Sequence, residues 1–299
     1  MCGIVGLFLK DRSLSPDLGT MLTDMLVTMT DRGPDSAGIA VYRGADDDRV
    51  KFTVQSPEPD TLFPAIEAAL AEAGDIDVTR LDTHAIISCR PDQAGLVREQ
   101  IAALDGLRIM SSGDAIEIYK EVGRPGSVAM RFDIPSLQGS HGIGHTRMAT
   151  ESAVTTAGSH PFSTGPDLCL VHNGSLSNHN RLRERLETHE GIRFRTENDT
   201  EVGAAYISHR LASGRSLHQA FEDCIEALDG FYTFVAGTRD GFAVMRDPIA
   251  CKPAVLAETD DYVAFGSEYR ALTTLPGIKE AKVWEPEPAT VYSWGGDAQ

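Results

Sequence analysis

Strand-like apolar runs occupy both ends of the chain, and helical patterns fill much of the stretch between them. Residues 2–9 (CGIVGLFL) read as a short buried strand in which Gly3 and Gly6 permit close backbone approach. Ser15 and Pro16 read as the N-cap and first residue of a helix. Leu18, Met21, Leu22, Met25, Leu26 and Met29 follow at helical spacing, one apolar stripe for a core. Further helices are predicted near 62–73, 93–104, 178–189, 198–212 and 215–228. Strands are predicted at 39–43, 142–148, 167–173, 231–237, 241–247, 253–259, 262–268 and near 289–294, and 108–122 reads as a hairpin turning at Ser112-Gly113-Asp114. This order suits an α+β layered domain and not a doubly wound βαβ one.

Composition then removes several functions. Of 299 residues, 27 are Lys or Arg and 44 are Asp or Glu, a formal net charge of -17. Such a surface repels a phosphate backbone and an anionic membrane, so neither nucleic acid nor membrane is expected as a partner. No apolar stretch approaches the ~20 residues of a membrane helix, and the N-terminus lacks the layout of a signal peptide. The five cysteines (2, 89, 169, 224 and 251) are odd in number and widely spaced, with no C-x-x-C. A disulfide framework or structural zinc is therefore not expected, and a cytoplasmic location fits. Cys89, Cys169, Cys224 and Cys251 sit in or beside apolar segments and read as core residues.

Cys2 differs from these four because it follows Met1 directly. Removal of Met1 frees an α-amine whose ordinary pKa of about 7.7–8.0 makes it a base near neutral pH, within reach of its own thiol. A thiol attacking a carboxamide also needs donors for the developing oxyanion. Asn173 and Gly174, in HNG at 172–174, can supply a side-chain N–H and a backbone N–H, although Asn-Gly by itself is commonly a turn. Arg147, in HTRMAT at 145–150, suits a bidentate grip on a carboxylate, and Thr150 adds a hydroxyl from the same segment. Asp199, in NDTEV at 198–202, suits an ammonium group, with a helix N-cap as its structural alternative. Together these charges match an amino-acid zwitterion. No metal site is expected: His141 and His145 would lie about 13 Å apart on a strand, and only folding could gather them with His160, His172 and His179.

In series, MCGIVG (1–6), DRGPDSAG (31–38), HTRMAT, HNG, NDTEV, RDPIACKP (246–253) and FGSE (265–268) resemble the class II, N-terminal-cysteine glutamine amidotransferases in motif order. The resemblance covers both ends of the chain and leaves 45–138 unexplained. It implies a four-layer αββα sandwich of the N-terminal-nucleophile type with two antiparallel sheets. It also implies that Cys2 attacks the glutamine amide, Asn173 and Gly174 form the oxyanion hole, Arg147 binds the carboxylate and Asp199 the ammonium. Arg32 matches the arginine of the family's HRG motif and is expected near the nucleophile loop. Asp31 replaces the usual histidine of that motif, Met148 an aromatic and Glu151 a histidine, changes expected to touch the pocket wall and its closing loop.

The length suggests one glutaminase domain over 1–299 enlarged by an insert at about 45–138, with the nitrogen acceptor on another polypeptide. The long insert, SHPF and HNGSLSNHN are similar to glutamate-synthase-type glutaminases, and more narrowly to the stand-alone subunit of N-methylglutamate synthase. That resemblance implies no cofactor in this chain, an FMN-bearing glutamate-synthase-like partner, a hetero-oligomer, and methylamine as a nitrogen substrate. A free-standing glutaminase or amidase, and a non-catalytic subunit that keeps the fold, are the alternatives.

Overall fold

The computed structural model describes residues 2–44, 48–148 and 154–296. Its strands are β1 (Gly3–Leu9), β2 (Ser36–Tyr42), β3 (Val50–Gln55), β4 (Ile76–Leu81), β5 (His84–Cys89), β6 (Arg108–Gly113), β7 (Ile116–Val122) and β8 (His141–Arg147). They continue as β9 (Cys169–Leu176), β10 (Gly230–Gly237), β11 (Gly241–Arg246), β12 (Val255–Glu258), β13 (Tyr262–Gly266), β14 (Lys282–Trp284) and β15 (Val291–Gly295). The helices are α1 (Leu18–Val27), α2 (Pro59–Leu70), α3 (Ala94–Ala103), α4 (Pro125–Arg131), α5 (His179–Glu190), α6 (Asp199–Ala212) and α7 (Leu217–Ala227). None of the described helices is long and apolar enough to cross a membrane.

Two antiparallel sheets face each other, one ordered β14-β12-β13-β1-β8-β2-β7 and the other β15-β11-β10-β9. Strand β1 shows why they stack. Its side chains alternate, so Val5, Leu7 and Leu9 pack under α1 while Ile4 and Phe8 pack between the sheets. Gly6 lies on the inter-sheet side, where a Cβ would come within 2.7 Å of the Phe242 ring from β11. The stripe from Leu18 to Met29 is buried against the outer face of the first sheet. On the far side α5, α6 and α7 cover the second sheet through Leu182, Val202, Ile207 and Phe221. Three apolar layers thus separate four structural ones, the αββα arrangement.

A third antiparallel sheet, β4-β5-β3-β6, carries α2 and α3 and has its own core around Phe52, Phe63, Ile87 and Val97. It lies within the stretch for which the motifs offer no account. The predicted hairpin at 108–122 does not form. Strand β6 pairs with β3 in this third sheet, and β7 pairs with β2 in the first. The Asp167 carboxylate explains the divergence, because it accepts the backbone N–H groups of Asp114, Ala115 and Ile116, each at 2.9 Å. Those N–H groups are spent on Asp167 and do not close a hairpin turn.

Two smaller expectations are also corrected. Ser15 does not cap α1: a 3-10 turn over Arg12–Asp17 precedes the helix, Asp11 caps that turn, and the Ser15 hydroxyl donates to the Gly139 carbonyl at 2.7 Å. Cys89, Cys169 and Cys224 are buried, but Cys251 is exposed. It follows Ala250, whose positive φ of 51° belongs to a turn in which Asp247 accepts the N–H groups of Ile249 and Ala250.

Candidate active site

Cys2 is half-buried at the head of β1, between β13 and β8 in the first sheet. Its main-chain carbonyl accepts from Arg32 Nε at 2.9 Å and from Asn173 Nδ2 at 3.4 Å. Arg32 is itself buried after α1, and its Nη1 pairs with Glu268, which also accepts from Arg270 Nε at 2.7 Å. Hydrogen bonding from Arg32, with the charges of both arginines, holds the Glu268 carboxyl below its ordinary pKa despite partial burial. Ser267 fastens the same end of β1: its Oγ accepts the Ile4 N–H at 2.9 Å, and its own N–H donates to the Ile4 carbonyl at 2.9 Å. Sequence reasoning quoted Ser267 and Glu268 within a motif and assigned them no role. The exposed Asp31 side chain lies 3.8 Å from Arg270 at the rim.

Asn173 and Gly174 sit on β9, the edge strand of the second sheet, paired with Thr233 and Tyr232 of β10. Asn173 is buried and Gly174 exposed. Gly174 has φ +144°, and a Cβ there would lie 2.0 Å from the Phe231 carbonyl oxygen. Only glycine fits. The neighbouring Tyr232 N–H donates to the buried Asp247 carboxylate at 2.8 Å, which gives the RDPIACKP segment a structural task beside Gly174.

Arg147 ends β8, adjacent to β1, in the register where Gly3 faces Thr146. Its Nη1 donates to the Gly158 carbonyl at 3.2 Å, and Asn198 Nδ2 donates to the same oxygen at 3.4 Å. The helix cap at the start of α6 is Asn198, whose side chain accepts the Thr200 N–H, so Asp199 is not the N-cap. Asp199 instead turns back to β9, where its Oδ2 accepts the Leu176 N–H at 2.9 Å and its Oδ1 lies 3.6 Å from His172 Nδ1. Burial alone would raise the Asp199 pKa; His172 and the Leu176 amide outweigh it and bring the value down to about 2. Thr150 and Glu151 lie outside the described residues.

Three histidines weighed as metal ligands meet behind these groups as a hydrogen-bonded chain. His145 Nε2 is 3.2 Å from the His172 carbonyl and 2.8 Å from His160 Nδ1. A carbonyl only accepts, so the bonding pattern assigns the proton to His145 Nε2. His160 Nδ1 then accepts, and its Nε2–H donates to Thr200 Oγ1 at 2.7 Å. Thr200 Oγ1 also lies 3.0 Å from His172 Nδ1, and its own hydroxyl donates to Asp199 Oδ1 at 3.5 Å. Burial pushes His145 down to about 3 and His160 well below its ordinary value, which keeps both neutral. His172 Nε2 has no partner among the described residues. His141 lies apart, stacked on Tyr42 at 4.0 Å, and His179 bonds the Leu176 carbonyl at 2.6 Å. No group of three or more His, Cys, Asp or Glu among the described residues could hold a metal ion.

The geometry joins Cys2, Arg32 and Asn173 directly, sets Gly174 next to them, and ties Arg147 and the start of α6 to one carbonyl. Comparison with known proteins agrees in kind. Residues 145–274 match the family model described as a glutamine amidotransferase domain. The chain is 61% identical over 296 residues to the glutamine amidotransferase-like protein GlxB of Rhizobium meliloti, covering 98% of each chain. It is 33% identical over 140 residues to a glutamine–fructose-6-phosphate aminotransferase of Idiomarina loihiensis, covering 46% of this chain and 23% of that one. The fold resembles a glutamine phosphoribosylpyrophosphate amidotransferase from B. subtilis, with a TM-score of 0.63 at 20% identity. That match spans 99% of this chain and 48% of the other.

Proposed function

The chain belongs to the class II glutamine amidotransferases, and on that premise we propose that it splits the side-chain amide of glutamine at Cys2 and passes the nitrogen to a partner polypeptide. The observation that carries this reading is the double grip of Arg32 and Asn173 on the Cys2 carbonyl. It holds the chain's second residue beside an asparagine-glycine pair that only a close-fitting strand edge would require.

With Met1 removed, the Cys2 α-amine takes the thiol proton and Sγ attacks the carboxamide carbon. The carbonyl oxygen gains negative charge and is met by Asn173 Nδ2–H and the Gly174 N–H. As the tetrahedral intermediate collapses, the ammonium returns its proton to the departing nitrogen, ammonia leaves and a thioester remains. Water then adds to the thioester, the thiol recovers its proton, and glutamate is released. Arg147 is assigned the substrate carboxylate and Thr150 a supporting hydroxyl. Asp199, ionised at any pH well above 2, is assigned the ammonium.

We read residues 1–299 as one glutaminase domain with an insert at about 45–138. Its finer role is the glutaminase subunit of an N-methylglutamate synthase or related glutamate-synthase-like complex, with FMN on the partner and methylamine as one acceptor. The motif resemblance supports that role.

The test measures glutamate released from glutamine by the mature chain, alone and with a flavoprotein co-purified from its native cell. Cys2→Ala is expected to abolish release, and partner addition to stimulate it. Wild-type protein that releases no glutamate under either condition sinks the reading. Intact mass is expected to show loss of Met1, and a fully active preparation retaining it contradicts the mechanism.

A further inference from the structure

A cavity of about 460 Å³ opens where the third sheet meets the two-sheet body, a volume suited to a small molecule. Its apolar wall comes from Ile101 on α3, Leu107, Ile109 and Met110 on or beside β6, and Phe162. Arg98, Arg108 and Arg195 also line it, with Lys120 of β7 deep inside and only 4% exposed. Three guanidiniums and the Lys120 amine therefore share the cavity with one carboxylate, Glu201. That carboxylate is already engaged, accepting the Arg195 N–H at 2.9 Å and the Thr196 N–H and hydroxyl at 2.8 and 2.7 Å.

Arg98, Arg195 and Lys120 bond to groups without charge. Arg98 lies over the Phe52 ring at 5.2 Å and donates weakly to Ser112 Oγ at 3.4 Å. Arg195 Nη1 donates to the Ile109 carbonyl at 2.7 Å. Lys120 Nζ donates to the carbonyls of Ser159 and Pro161 at 2.7 and 3.0 Å. A guanidinium has five N–H donors, so Arg98 and Arg195 keep most of theirs for a ligand. Burial pushes Lys120 down to about 7, outweighing the opposing charge of Glu201, with Arg195 adding to the fall. In a chain of net charge -17 this is a local reversal of sign.

We propose that this cavity is a binding site for a small organic anion, a carboxylate or phosphate on an apolar body. Guanidinium forks grip the oxyanion, and the wall from Ile101 to Phe162 takes the hydrocarbon. The segment 157–161 separates the ligand from Arg147, since Ala157 lines the cavity while the Gly158 carbonyl holds Arg147 Nη1. The site does not depend on glutamine chemistry, and binding alone reads it.

The experiment is calorimetric titration of the full chain with glutarate and, separately, with phenyl phosphate. Saturable one-to-one binding of either probe is expected, and which one binds tells carboxylate from phosphate recognition. Arg98→Gln with Arg108→Gln, both exposed positions, is expected to weaken it about tenfold or more while the thermal melt is kept. Arg98→Gln alone serves if the pair fails to fold. Arg181→Gln with Arg185→Gln removes the same charge from α5 and is expected to leave affinity unchanged. No saturable binding of either probe at millimolar concentration, or equal weakening by the α5 pair, overturns the proposal.

Discussion

The Nε of Arg32 donates to the main-chain carbonyl of Cys2 across 30 residues of sequence at 2.9 Å. The same guanidinium pairs with Glu268, so one buried cation couples the head of β1 to the segment that follows β13. Arg32→Gln loses both contacts. A charge-assisted hydrogen bond contributes roughly 1.5–3 kcal/mol, so kcat for glutamate release is expected to fall about tenfold or more. Steady-state kinetics on protein shown by mass to have lost Met1 checks this; an unchanged kcat removes Arg32 from the machinery.

Asp199→Asn keeps an oxygen for the Leu176 N–H and removes the charge. The fold should survive, as a thermal melt would show. The KM for glutamine is expected to rise about tenfold or more, the scale for losing one member of a buried charge pair. A KM that stays put while the fold holds would move the ammonium site elsewhere.

Thr200→Val preserves shape at the start of α6 and deletes the hydroxyl between His160 and His172. It strands the His160 Nε2–H and takes the hydroxyl partner from His172 Nδ1. The expected loss is about 1–3 kcal/mol of stability for each group left unsatisfied. Denaturant unfolding measures the loss, and nitrogen NMR of the imidazoles is expected to show a changed tautomer at His160. A variant as stable as wild type, with the same tautomers, contradicts the hydrogen-bonded chain.

Acid should destabilise the protein in two windows. His84, His141 and His145 are lowered by burial from 6.5 to about 3, so the unfolded chain takes up protons that the folded chain refuses. Stability from these groups is complete above pH 6.5 and declines as pH falls toward 3, by at most about 1.4 kcal/mol per pH unit for each histidine. Asp199 is lowered from 3.8 to about 2, so its contribution is complete above pH 3.8 and is lost as pH falls through 2. Urea unfolding at pH 7, 6 and 5 is expected to show falling stability, with a shallower slope in His141→Gln. A flat profile across that range is the contrary result.

Local periodicity explains what was legible. The apolar run CGIVGLFL and the stripe from Leu18 to Met29 are short-range patterns, and both pack in the core. Cys2 and the asparagine-glycine pair stand out by residue type, and the fold brings Asn173 to the Cys2 carbonyl. What escaped depends on contacts between distant residues. Glu268 reaches Arg32 over 236 positions, and no local pattern marks that pair. Gly113 and Asp114 look like a hairpin turn until Asp167, 53 residues further on, takes the Asp114 N–H. Asn198 and Asp199 are equally good caps on paper, and only the Leu176 amide shows which one turns away from the helix. His160 lies 15 residues from His145 in a segment without periodicity, so their union was invisible.

In the ladder between β2 and β7, Tyr42 faces Ile116. The chain therefore departs into the third sheet and returns at adjoining positions of one strand pair. Topologically, everything between is a side branch closed at its base, and the ladder from Ser36–Val122 to Tyr42–Ile116 does not run through it. A branch of that kind can lengthen or shrink without shifting the register of the β2–β7 ladder. Such a branch is a place where recognition can vary while the strand pairing at its base is kept.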